Sequence, residues 1–328
     1  MTQTNFCNDK ARCLIALAAT KISSKESNMT KIDAVGRKEQ DLTLMIKQFD
    51  EAKAWLESIG IDISSGRFQQ YKKRIERSLE NGKFFSPDFC DSDTLWAIAE
   101  LHDLLELFDY LKSFDDEKVK KTLSWLKKGP ALLEDEPKDG GKIHGRNFTF
   151  ELYAACRFLR SGLPVSYESD ADINLSVLDT LLHVECKRAV TENNLDGLIE
   201  KAIDQIDGAC LNNQNDRGLI VLSLSKIFWK VQIELNQGHA AEESELQRLL
   251  EPVSRNIAEA IRSTYAQKSE NVIGLIFHYK VPFYRKKNGF PAFINRFSFI
   301  SFSEPGTKNK LISDTISQHL KSSMYRSG

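Results

Sequence analysis

Apolar residues recur along this chain with two different periods, and the change of period divides it. From Leu42 to Trp125 the spacing is three and four, the signature of helices with one buried face. Leu42, Met45, Phe49, Ala52, Trp55 and Leu56 predict a first helix, ended by Gly60. Phe68 to Leu79 predicts a second, rich in Lys and Arg and ended by Asn81-Gly82. Asp91 to Phe114 predicts a third, carrying Leu95, Ile98, Leu101, Leu104, Leu105 and Phe108. Asp115 or Asp116 caps a fourth, with Val119, Leu123 and Trp125 on its face and Gly129-Pro130 at its close. The aromatic residues fall on the apolar faces and read as core. The basic face around Lys72, Lys73 and Arg74 reads as solvated.

The pattern on either side is different. Asp9 to Ile22 reads as an amphipathic helix: its apolar run is short for a signal peptide, and Asp9 stands in the flank. Ser23 to Gln40 is polar and reads as a loop. Leu132 to Gly141 is acidic and then glycine-rich, a boundary. The organisation expected is an N-terminal helix and polar linker (1–40), a helical domain (41–130), a linker (131–145) and a second domain (146–328).

In the second domain the period switches. Asn147 to Ser161 is helical, with Phe148, Leu152, Ala155 and Leu159 on one stripe and Gly162 and Pro164 as stop signals. Then Ile173, Leu175 and Val177 alternate with Asp172, Asn174 and Ser176. After a turn at Asp179-Thr180, Val184 and Cys186 alternate with His183, Glu185 and Lys187. Strand side chains alternate between faces, so Glu185 and Lys187 share one face and Val184 and Cys186 point to the core. A hairpin brings Asp172 towards Glu185. Downstream lie an amphipathic helix from Glu192 to Gly208, a buried strand from Leu219 to Leu224 and helices at Lys226–Gln237 and Glu242–Tyr265, the latter broken or kinked at Pro252. Strands at Val272–Tyr279 and Phe293–Phe302 flank a basic and aromatic loop with an Asn288-Gly289 turn, and Lys310–Lys321 is a last helix.

Two carboxylates and one ammonium on one side of a sheet suit Mg2+ or Mn2+, which take oxygen ligands and leave positions for a phosphate. The plainer alternative is an exposed ion pair between Glu185 and Lys187. Glu151 sits on or beside the apolar stripe of its helix, and a carboxylate turned inward needs a partner. That partner is Arg146, Lys187 or a cap, or else Glu151 is a third acid at the same site.

Helix with Glu151, strand, strand with Asp172, strand with Glu185 and Lys187, helix, strand: this order resembles the PD-(D/E)XK nuclease superfamily, which has the restriction-endonuclease-like fold. The resemblance covers residues 143–225, and Ala171 stands where the family's motif has proline. It implies an α/β protein with a mixed sheet and an α-β-β-β-α-β core, here with a C-terminal α/β extension and an all-helical N-terminal region. It implies a metal site of Asp172 and Glu185, with Glu151 as an added or water-bridged ligand and the Cys186 backbone carbonyl as another. Lys187 would orient the attacking water or stabilise charge. In exonuclease-type branches a Gln on the next helix positions DNA or water, which points to Gln205, although the usual Tyr after it is absent.

Charge adds to this picture. From Asn271 onward nine Lys and Arg face two acids, a net of +7, which leaves −8 for the rest of a chain whose total is −1. A segregated basic end suits a nucleic-acid enzyme, and a soluble positive tail is the alternative. Arg285, Lys286 and Lys287 are the expected phosphate-gripping loop, and Arg146 stands where a scissile phosphate would lie. The six cysteines show no disulfide or zinc spacing, and no apolar run approaches membrane-spanning length, so a reducing, cytoplasmic setting is expected. The expected activity is metal-dependent hydrolysis of nucleic acid, DNA before RNA. A homodimer and a protein partner for the helical region stay open. The competing readings are a nuclease-like fold that only binds nucleic acid or protein, and a helical interaction protein with an incidental ion pair.

Overall fold

The computed structural model describes residues 30–32, 42–80, 91–132, 135–136, 144–211, 213–236, 240–287 and 289–325. The helix expected at Asp9–Ile22 lies outside them, as does Asn288. The strand β1 (Thr30–Ile32) comes first, followed by four helices: α1 (Leu42–Ser58), α2 (Arg67–Glu80), α3 (Ser92–Leu111) and α4 (Glu117–Leu123). Asp91 caps α3 by accepting from the Asp93 N–H. Of the two candidate caps for α4, Asp116 serves, accepting from the Val119 N–H at 3.0 Å.

Next come α5 (His144–Arg160), β2 (Val165–Ser166), β3 (Ile173–Val177), β4 (Thr180–Arg188), α6 (Leu195–Cys210) and β5 (Arg217–Ser223). The chain ends with α7 (Ser225–Asn236), β6 (Ala240–Ala241), α8 (Glu243–Tyr265), β7 (Val272–Arg285), β8 (Pro291–Ser301) and α9 (Lys308–Tyr325). The strands form one mixed sheet in the order β1-β8-β7-β5-β4-β3-β2, with β6 on β7. β2, β3 and β4 run antiparallel; β5 is parallel to β4 and β7 parallel to β5. The protein is therefore mixed α/β. No helix among the described residues is long and apolar enough to cross a membrane.

Three expectations are corrected. The polar stretch 23–40 contributes a strand, β1 (Thr30–Ile32), paired antiparallel with β8, Thr30 opposite Phe299. Pro252 does not break α8, because Leu246, Leu250, Val253, Ile257 and Ile261 keep helical spacing through it and are all buried. That packing outweighs the roughly 3 kcal/mol that an internal proline costs. The strand expected to stop at Tyr279 runs on to Arg285, paired with β8 on one side and with β6 on the other.

Period two assigns the helices to faces. Gly218 on β5 faces α6, where an added methyl would stand 2.1 Å from Ile206 Cγ2. His183 is opposite Gly218, so Glu185 and Lys187 also face the α6 side. Val184, Cys186, His278 and Lys280 face α5 and α3. His278 stacks on Phe150 of α5, and Lys280 Nζ donates to Asp103 of α3 at 2.6 Å. One continuous apolar core runs from Leu42 to Leu320, so the helical region and the sheet share it.

A buried polar network ties the two halves together. Glu100 of α3 accepts from Arg67 of α2 and, at 2.8 Å, from Arg146 Nε of α5. Arg67 also donates to Thr149 of α5 at 2.6 Å. Burial pushes the Glu100 pKa up, but Arg67 and Arg146 outweigh it and hold it at about 2.

His278 predicts an acid limit for the fold. Burial depresses its pKa from 6.5 to about 3. Between these values the unfolded chain binds a proton that the folded chain does not, so acid favours unfolding. Stability should fall, by on the order of several kcal/mol, as pH drops from about 6.5 towards about 3. His278→Gln should flatten that decline in urea titrations taken across the window; an unchanged slope would place the acid sensitivity elsewhere.

Candidate functional site

The β3–β4 turn sets the register of the site. Val177 pairs with Thr180, and Leu178 and Asp179 between them take left-handed backbone angles, φ 49° and 55°. That is the geometry of a two-residue hairpin loop with the twist that strands prefer. Ile173 stands opposite Val184. One step further, Asp172 stands level with Glu185 and on its face. Lys187 Nζ donates to Glu185 Oε2 at 2.7 Å and lies 3.8 Å from Asp172 Oδ2. The predicted convergence of Asp172, Glu185 and Lys187 is present.

Asp172 Oδ2 also accepts from the Cys186 N–H at 2.8 Å. The Ala189 N–H, three residues on, donates to Ser223 O of β5. Backbone groups of alternate strand residues point to opposite edges, so Glu185, Lys187 and Ala189 bond towards β5 while Cys186 points to the edge that β3 leaves open. The N–H and C=O of one strand residue share a side. The Cys186 carbonyl therefore faces the same edge as Asp172. Its side chain, 6% exposed, packs on the other face, as Val184 does.

Glu151 reaches this edge from α5. Together with Asp172, Lys187, Asn194, Lys201 and Gln205 it lines a cleft of about 410 Å³. Burial, then the neighbouring Asp172, pushes the Glu151 pKa up to about 8, with Glu185 adding to it. Burial also raises Asp172, and burial followed by Asp172 raises Glu185. Burial alone would lower Lys187, but Asp172 and Glu185 raise it. The cluster thus holds more carboxylate than its cations neutralise. Oxygen donors with unrelieved negative charge fit a hard divalent cation.

The three carboxylates are not drawn tightly together. Among the described residues, the trio with ligand atoms all within 4.8 Å of one another is His102, Asp103 and Glu106. Lys280 fills the position of a cation there: its Nζ donates to Asp103 Oδ1 at 2.6 Å, to Ala99 O at 3.1 Å and contacts His102 Nδ1 at 3.0 Å. In the Asp172 cluster Lys187 takes the equivalent place. A metal between Asp172 and Glu185 would require Lys187 to swing out.

The expected nucleic-acid contacts divide. Gln205 lies in the cleft. Arg146 does not reach it: only 2% exposed, it bonds Glu100, Tyr71 Oη at 2.9 Å and Ala131 O at 3.0 Å. A buried guanidinium needs polar partners, and Glu100 of α3, the Tyr71 hydroxyl of α2 and the Ala131 carbonyl supply them. The Arg285 hairpin stands apart. Leu222 is level with both Lys187 and Phe277, so Arg285 lies eight residues further along β7, about 26 Å. Lys286 there pairs with Glu245 at 3.3 Å and Arg285 with Glu243 at 3.7 Å.

Two residues were missed in the sequence. Lys201 sits four positions before Gln205 on α6, a spacing that was readable as one face. Lys118, from α4, donates to Ser169 O at 2.9 Å and Ala171 O at 2.6 Å, anchoring the loop that carries Asp172. No short-range signal links Lys118 to a loop some fifty residues away. Compared with known proteins, the chain matches no family model, no curated protein and no solved structure.

Proposed function

We propose that the protein is a divalent-metal-dependent nuclease that hydrolyses phosphodiester bonds, in DNA before RNA, on a restriction-endonuclease-like core. The observation that carries this is the meeting of Asp172, Glu185, Lys187 and the Cys186 backbone at one open strand edge beside a polar cleft. The order α5-β2-β3-β4-α6-β5, with β5 parallel to β4, supports the core.

Asp172, Glu185 and the Cys186 carbonyl would hold Mg2+ or Mn2+. The ion, when bound, polarises the scissile phosphate and lowers the pKa of an attacking water. Glu151, with its raised pKa, holds a proton or a bridging water at the rim of that shell. Lys187, released from Glu185, orients the nucleophile and meets the charge that develops on phosphate. Lys201 and Gln205 stand on the cleft wall, where a strand backbone would pass. A binding module without catalysis is the weaker reading, because three carboxylates facing a polyanion oppose binding unless a metal is present.

The test is incubation of the protein with plasmid, linear and single-stranded DNA and with RNA. Cleavage is expected in Mg2+ or Mn2+ and absent in EDTA; identical products in both would refute the metal requirement. The hairpin makes a length-dependent prediction. Replacing Arg285, Lys286 and Lys287 by Ala should lower the salt slope of binding by about 0.9 for each phosphate that is no longer neutralised. The effect should appear only with substrates extending more than about eight nucleotides from the cleft, given ~3.4 Å per nucleotide. An unaltered slope on long DNA would show that the hairpin does not touch the backbone.

A further inference from the structure

One rung below Asp172 and Glu185, on the α6 face of the sheet, stand two buried polar residues that take no part in the proposed chemistry. Asn174 of β3 lies directly opposite His183 of β4, and the two are 0% and 4% exposed. Strand alternation puts Asn174 on the face of Asp172 and His183 on the face of Glu185. Polar groups buried beneath a helix need partners, and these two have them in a fixed order. Asp216, just ahead of β5, meets His183 Nε2 at 3.1 Å through one oxygen and accepts from Asn213 Nδ2 at 2.7 Å through the other.

The order follows from which groups can donate. A carboxylate accepts, so His183 carries its proton on Nε2 and presents a lone pair at Nδ1. Asn174 Nδ2 and Ser169 Oγ each lie 3.3 Å from that lone pair. The amide nitrogen of Asn174 is thereby turned towards His183, and its oxygen accepts from the Ser169 N–H at 3.1 Å. Ser169 Oγ accepts from Asn174 Nδ2 at 2.8 Å and from the Ala171 N–H at 3.2 Å, with Asn174 Oδ1 also in reach of its hydroxyl at 3.0 Å. Asp172 is the next residue. The opposite tautomer of His183 would set one N–H against another and turn the amide oxygen away from the Ser169 backbone.

We infer that His183 is a positioning residue for the metal ligand Asp172: its Nδ1 lone pair orients Asn174 and Ser169, and these hold the loop that sets Asp172 level with Glu185. Lys118 grips the same loop from α4, through Ser169 O and Ala171 O. His183 grips it from the strand that carries Glu185, so it ties the two acidic residues to one frame. Partners placed behind a metal ligand set its affinity by about 10–100-fold. The inference rests on the reading of Asp172 and Glu185 as metal ligands. A histidine that served only the core would act through its bond to Asp216 instead.

Two variants of the full chain each keep half of the ring's bonding. His183→Gln reaches Asp216 from the place of Nε2 and loses the acceptor at Nδ1. His183→Asn keeps an acceptor near Nδ1 and gives up Asp216. Mn2+ affinity, measured by calorimetry, is expected to fall about tenfold or more in His183→Gln and to stay near the parent's in His183→Asn. Urea unfolding should rank them the other way, with His183→Asn the less stable, because it takes a donor from a buried carboxylate. Should His183→Asn fail to fold, Ser169→Ala takes its place. Alone it should weaken Mn2+ binding about as His183→Gln does, and the double variant should lose little more than either, since both cut one contact. Affinities that follow stability, parent-like affinity in His183→Gln or additive losses would overturn the inference and leave the metal site standing. A parent chain that binds no Mn2+ would overturn both.

Discussion

Lys187→Ala is expected to lower the rate of cleavage by about 10²-fold or more while leaving divalent-ion and DNA binding in place. Lys187 spends its ammonium on Glu185 at 2.7 Å and Asp172 at 3.8 Å, so it neutralises ligands when no metal is bound. Its removal should even tighten metal binding, since a competing cation is gone. Glu185→Ala should act otherwise: it deletes an oxygen ligand, so metal affinity and activity should fall together. Val184 and Cys186 carry the packing on the opposite face, which leaves the fold intact in both variants. Metal titration by calorimetry, DNA binding in Ca2+ and cleavage in Mg2+ separate the two. If both substitutions depress metal binding equally, Lys187 is part of the structural scaffold and not of the chemistry.

Glu100→Ala is expected to be the most damaging single change to stability. It strands Arg67 and Arg146, whose side chains are 0% and 2% exposed, without their shared carboxylate. Breaking a buried ion pair from one side costs about 3–5 kcal/mol. Because the Glu100 pKa is held at about 2 against an ordinary value of 4.5, its contribution is complete above pH 4.5 and is lost as pH falls through about 2. Urea unfolding at neutral pH measures the cost. A loss below about 1 kcal/mol would mean that the network is solvated and does not bind the helices to the sheet.

The hairpin of the candidate site was legible because its information is local. Period two gave the faces, and a hairpin near Asp179-Thr180 brought Asp172 towards Glu185; the register itself is set one residue earlier, by the Leu178-Asp179 turn. The helices of residues 42–123 were legible for the same reason. What escaped depends on distant partners. Arg146 looked like a loop cation because Glu100, which buries it, lies 46 positions away. The end of β7 looked like a loop because Lys280, Pro282 and Arg285 break the apolar run. Yet Lys280 is only 3% exposed, its ammonium taken up by Asp103 and Ala99 O of α3. β1 is three polar-flanked residues whose pairing depends on the edge of β8. Lys118 belongs to the site through two carbonyl contacts that no motif encodes.

The most direct measurement is a crystal soaked in Mn2+ and examined at the manganese edge. The anomalous peak should lie between Asp172 and Glu185 at the Cys186 carbonyl, with the Lys187 ammonium displaced from Glu185. A peak at His102, Asp103 and Glu106 instead, or none at millimolar Mn2+ with Lys187 still bonded to Glu185, would contradict the assignment of the metal site and with it the proposed nuclease.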